Sequence, residues 1–328
     1  MTTFQPSDLL TAWTASPLGL GLVVLVAGPY AVWWRRARRV GVGWPAWRIL
    51  LFLVVGVGTL AYAVCGPLAV YRTSLFWVGA LQVGVLSSVT PVGLALGDPL
   101  GLMRAAHGST QPWLVRALHG RVARALMFPA VSSLLAVGSL VLVFFTPWFE
   151  LSTRSAPVEA LLDVQLLVLG LLFVLPILVD ELLPPWATPG VRTLLAFADG
   201  LLDAIPGILV MTAPTLLAPG FPGFAGRTGD PTPIFDQRLG GGAMLLVAEA
   251  VGLPIILAVF IEWMGADARE ARVIDAQLDA AAIEAAALRD TVPEAEADAT
   301  STSVPGATAP VLWWESDPRF EGRYRRRD

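Results

Sequence analysis

Residues Thr193–Leu217 read TLLAFADGLLDAIPGILVMTAPTLL. A run of roughly 20 mostly apolar residues is long enough to cross a bilayer as a helix. Two acids interrupt this one, Asp199 and Asp203, and their spacing of four puts them on one helix face. A carboxylate near the bilayer centre costs about 2.5–3.5 kcal/mol on insertion scales. The pair is therefore expected to turn inward, toward a cavity or partner residues. Asp199 has the alternative of reaching headgroups from near the end of its span. Pro206 and Gly207 follow at once, so a kink is expected beside the second acid.

The rest of the chain agrees with a membrane reading. Of its 328 residues 55% are hydrophobic and 15% charged, and the mean hydropathy is +0.66. Such a composition excludes an ordinary soluble domain. Seven spans are predicted: Pro17–Trp34, Ile49–Val70, Ser74–Gly97, Ala125–Trp148, Val158–Val179, Thr193–Leu217 and Gly241–Trp263. Trp33, Trp34, Trp77, Trp148 and Trp263 fall at their ends, as an aromatic belt requires. The expected fold is an all-α polytopic membrane protein, a seven-helix bundle over residues 1–263 with a cytoplasmic C-terminal tail. The single cysteine, Cys65, rules out an internal disulfide and a cysteine-cluster metal site. The first residues lack a basic stretch, so no cleavable signal peptide is expected. No basic, groove-reading pattern points to nucleic acid.

Arginine sets the expected orientation. Arg35, Arg36, Arg38, Arg39 and Arg48 lie in the first loop, and Arg104, Arg116, Arg121 and Arg124 in the third. The second and fourth loops hold only Arg72 and Arg154. The positive-inside rule then places the N-terminus outside and the C-terminus in the cytoplasm of a bacterial plasma membrane. The sixth loop, residues 218–240, would lie outside as a Gly/Pro-rich cap.

Beyond Trp263 the sequence changes character. Residues 264–290 are Ala-rich and acidic, with Ile274, Leu278, Ala281, Ala285 and Leu288 on one helical face. Residues 291–310 have the composition of a disordered linker. Residues 311–328 pair Trp313 and Trp314 with Arg325, Arg326 and Arg327, a segment suited to a lipid surface or a partner subunit.

With that orientation, Gln82, Asp163, Asp203 and Glu249 fall in the outer half of the membrane on four different spans. Two readings stand side by side. One is an outward-facing polar pocket, with Asp199 beside it and Gln82 on its wall. The other is interhelical hydrogen bonding that merely holds the bundle together. An all-oxygen pocket would suit a hard cation or protons better than copper.

The segment Asp236–Asp275, DQRLGGGAMLLVAEAVGLPIILAVFIEWMGADAREARVID, resembles the CtaG family, membrane proteins that assist assembly of haem–copper cytochrome c oxidases. The shared features are the Asp236–Gln237 entry with Leu239, Gly240 and Gly241, the acidic Glu249, Trp263 and the charged run Asp267–Arg272. The third span is similar at Gln82, Pro91, Gly97 and Pro99, and the fourth at Thr146–Pro147. The resemblance implies a non-enzymatic assembly or accessory role, cytochrome c oxidase subunits as partners, and copper as the handled metal. The family's histidines are missing, however. Gly79 and Val83 stand where its third span has two, Glu159, Asp163 and Gln165 where its fifth span opens with others, and Asp203 where its sixth has one more. Copper handling is therefore not expected to follow the family pattern. Two alternatives remain: a structural subunit of a respiratory complex, or a proton or cation transporter using the acidic pocket.

Overall fold

The computed structural model describes residues 11–108, 113–118, 120–178 and 189–291. Residues 313, 314 and 325–327, and His119, lie outside these. Among the described residues the regular structure is helical, with no strand. The chain divides into two units, residues 1–266 and 267–328.

Six helices are long and apolar enough to cross a membrane, and a bent pair makes a seventh. They are α1 (Pro17–Arg39), α2 (Ala46–Tyr71), α3 (Phe76–His107), α4 (Pro129–Phe145), α5 (Ala156–Leu178), α6 (Pro189–Thr212) and α7 (Pro233–Thr291). The expected span Ala125–Trp148 is revised at both ends. Arg121–Leu126 forms a separate short helix, and α4 stops at Phe145 and bends by 66° into Trp148–Arg154. Pro147 explains the break, because a proline cannot donate to the preceding turn and pushes the residue before it into extended backbone. Thr146 is extended there. Likewise α6 ends at Thr212 rather than Leu217, with Pro214 forcing Ala213 out of the helix. Pro206 is carried inside α6.

Two spans are not uniform α-helix. Phe52–Gly58 in α2 and Val85–Val89 in α3 are π-helical. The two spans cross backbone to backbone near these segments. A Cβ built at Gly93 would lie 2.3 Å from the Gly56 nitrogen, and one at Gly56 would lie 3.0 Å from the Leu94 nitrogen. Small residues at a crossing let membrane helices approach closely without a hydrophobic driving force. The Thr59 and Thr90 hydroxyls, 2.8 Å apart, bridge the same crossing. α6 and α7 meet through a similar contact, since a Cβ at Gly241 would stand 2.6 Å from the Gly207 carbonyl oxygen.

One end of the bundle is closed by aromatic rings. Phe76 of α3 packs on Phe144, Phe149, Phe221 and Phe224 at centroid distances of 5.1–5.8 Å. Phe221 and Phe224 come from the loop between α6 and α7, so that loop inserts side chains into the core. In the second unit, the described helical residues leave Val273, Ile274, Leu278 and Ile283 exposed.

Candidate functional site

The Asp236–Gln237 pair is a structural clamp. Asp236 is fully buried. Its carboxylate accepts from the backbone nitrogens of Phe76 (3.1 Å) and Trp77 (2.9 Å), the first residues of α3. A helix start leaves such N–H groups without intrahelical partners, and a carboxylate there also complements the helix dipole. Arg227 donates to the same carboxylate at 2.5 Å and reaches the Ser74 carbonyl with its other arm. Gln237, also fully buried, accepts from Leu217 N at 2.7 Å and donates to Thr215 O at 3.1 Å. One dipeptide thus fixes the start of the third span and the start of the loop that follows the sixth. Arg227 was not singled out in the sequence, where it is one arginine in a glycine-rich loop.

Gln82 has a similarly specific task. Its Nε2 donates to the Ala63 carbonyl at 2.9 Å. Four residues after Ala63 stands Pro67, which has no N–H to give that carbonyl. Buried in a membrane bundle, an orphaned carbonyl is costly, and Gln82 satisfies it from the neighbouring span.

The acids expected in one pocket are divided between two places. Asp163 lines a cavity of about 280 Å³ between the start of α1 and the start of α5, together with Glu159. Asp199 and Asp203 line a second, of about 30 Å³, with Ser88, Val174 and Gly252. Asp163 and Val174 share α5 and are eleven residues apart, so the two places are separated by about 16 Å along that helix. Asp199 and Asp203 sit on α6, Pro189–Thr212, and line a cavity with residues of α5 and α7, whereas Asp163 lines one with residues of α1. Glu249 lines neither cavity; it is exposed on α7. Gln82 is occupied by Ala63, as described.

Each acid has its own partners. Asp199, 7% exposed, receives the Ser133 hydroxyl, which also lies 2.7 Å from the Pro129 carbonyl. Glu159 is ion-paired at 2.5 Å with Arg72, a base only 2% exposed that also donates to Ser152 at 2.7 Å. Arg72 read in the sequence as a loop charge; its flanking apolar runs on both sides were the available sign of burial. Gln165 accepts from the Trp148 indole at 3.1 Å and donates to Ser139 at 2.7 Å.

Several positions that align with the family's histidines are otherwise employed here. At position 79 a Cβ would stand 2.7 Å from the Phe149 ring, so a side chain there requires that ring to move. Val83 is packed in the core. Gln165 and Glu159 are already committed to other groups. Among the described residues no three His, Cys, Asp or Glu side chains gather as metal ligands.

Uncharacterised proteins of Mycobacterium bovis and Mycobacterium tuberculosis are each 30% identical over 281 residues, covering 83% of this chain and 42% of their own length. A Mycobacterium leprae protein, also uncharacterised, is 27% identical over 279 residues, covering 81% of this chain and 42% of its own. The chain thus spans less than half the length of these relatives. No solved structure matches. The model of the cytochrome c oxidase caa3 assembly factor family matches residues 28–266, from within the first span to the end of the first unit. The chain belongs to the caa3 cytochrome c oxidase assembly factor (CtaG) family.

Proposed function

We propose that this protein supports assembly of a haem–copper cytochrome c oxidase by docking laterally onto an oxidase membrane subunit, without catalysing a reaction and without the family's histidine-based copper site. Family membership supplies the oxidase. The observation that carries the docking is Glu249. It is exposed about 13 Å along α7 from Gly240, at a rise of about 1.5 Å per residue. Leu246, Leu253 and Leu257 are exposed on the same helical face, at 58–69%. A carboxylate turned toward hydrocarbon is costly and calls for a partner group. A hydrogen-bonding or basic side chain on an oxidase helix meets that need, and the leucines around it supply the packing. The orientation supported by the arginine distribution, N-terminus outside and C-terminus cytoplasmic, leaves residues 311–328 on the cytoplasmic side as a second contact to subunit or lipid.

The test is affinity purification from native membranes in mild detergent. Wild type and Glu249→Gln should bring down an oxidase subunit, while Glu249→Leu should lose it and remain folded. Retention by Glu249→Leu would remove the lateral docking face.

A further inference from the structure

The larger cavity holds an unmatched carboxylate, and its walls say what would match it. It lies between Ser16–Leu25 at the start of α1 and Ala156–Val164 at the start of α5, with Val64 behind. Two acids line it, Glu159 and Asp163. Arg72 and Glu159 neutralise each other at 2.5 Å. Asp163 is left over: it is 4% exposed, lines the cavity, and among the described residues receives no hydrogen bond or ion pair. A carboxylate so placed wants a cationic donor.

We propose that this cavity binds the headgroup of an aminophospholipid, a primary ammonium carried beside a phosphate, with the ammonium on Asp163. Size comes first. At about 30 Å³ per water, 280 Å³ holds roughly nine waters, far more than a bare ion and its two carboxylates need. A hard metal ion would also want six or more oxygens, and the lining offers two carboxylates and one hydroxyl. The walls are otherwise aliphatic: Leu18, Leu22, Leu25 and Val164. Leu18, Leu25 and Val164 are 41–67% exposed, so the cavity opens toward the bilayer, where acyl chains would follow the helices. Position decides between headgroups. The cavity reaches from the first residues of two spans, at headgroup level, to Asp163 about 10 Å along α5. Among the described residues no aromatic ring lines it, so these offer no cage for a quaternary ammonium. A primary ammonium can instead donate hydrogen bonds to Asp163 and Glu159. Anionic headgroups are disfavoured by the surplus acid. The N-terminal end of α1, a 23-residue helix, borders the cavity; Ser16 already accepts from Gly19 N and Pro17 has no N–H, so its contribution to the adjoining phosphate is the helix dipole. The site is built from this chain alone and stands apart from the oxidase contact on α7.

The experiment reconstitutes the full chain in bilayer discs of phosphatidylethanolamine, phosphatidylcholine or phosphatidylglycerol with identical acyl chains, and counts retained lipid by native mass spectrometry. Wild type should retain phosphatidylethanolamine over the other two. Asp163→Asn should reduce that retention roughly tenfold or more, the loss expected for a charge-assisted hydrogen bond. Gly21→Leu fills the cavity where a Cβ meets nothing within 4 Å, so it should expel the lipid while leaving thermal unfolding unchanged. Equal retention of all three lipids, or retention by Gly21→Leu, overturns the proposal. So does a result in which lipid is indifferent but Asp163→Asn releases a bound protein, because a partner's basic side chain would then be the occupant.

Discussion

Replacing Asp236 by alanine removes three interactions from a fully buried carboxylate: two backbone N–H groups at the start of α3 and the Arg227 guanidinium. Loss of a helix cap costs about 0.5–2 kcal/mol. Breaking a buried ion pair from one side costs about 3–5 kcal/mol, because the remaining charge is stranded. Arg227 keeps 14% side-chain exposure, so the lower part of that range applies. The expected total is about 4 kcal/mol, the charge being the larger share. Asp236→Asn keeps an acceptor for one N–H and should cost less. The double variant Arg227→Gln with Asp236→Asn should recover about 1.5–3 kcal/mol relative to independent losses, the size of a charged hydrogen bond. Reversible unfolding in bicelles by steric trapping reads each value. A cost below about 1 kcal/mol for Asp236→Ala would refute the clamp.

Three further outcomes follow from the structure. Gly93→Leu should separate α2 from α3 and lower stability by several kcal/mol, as backbone atoms of Val55 and Gly56 stand 2.3–2.4 Å from its Cβ position; thermal unfolding compared with Gly28→Leu, where a Cβ meets nothing within 4 Å, checks this. Copper measured after chelation should be far below stoichiometric, and one tightly held copper per chain would show that the acids or Cys65 suffice. A reporter fused after Asp328 should be cytoplasmic and a cysteine at Gly229 should label from outside; the reverse would invert the docking scheme.

The sequence was most informative where the physics is local or one-dimensional. Seven apolar runs correspond to six candidate membrane helices and one bent pair, because a bilayer demands length and apolarity before anything else. Prolines then adjusted the ends, and Pro147 and Pro214 could have been read that way from their neighbours alone. The acids were harder. Depth along a span follows from counting, but which helix face meets which neighbour depends on packing. That packing is set by Gly56 on Gly93 and Gly207 on Gly241, contacts no periodicity announces. Asp163 and Asp203 therefore looked like one site and occupy two. The Asp236–Gln237 motif was visible as a pattern, while its role as a clamp needed Phe76, Arg227 and Leu217, up to 160 residues away in the chain.

A role in oxidase assembly is measured most directly by haem a content. Membranes from a strain lacking this protein should show a reduced-minus-oxidised spectrum depleted of the oxidase haem a signal, with the other cytochromes intact. Re-expression of the wild-type chain should restore it, and Glu249→Leu should not. A full haem a signal in the deletion strain, with normal oxidase turnover, would contradict the account.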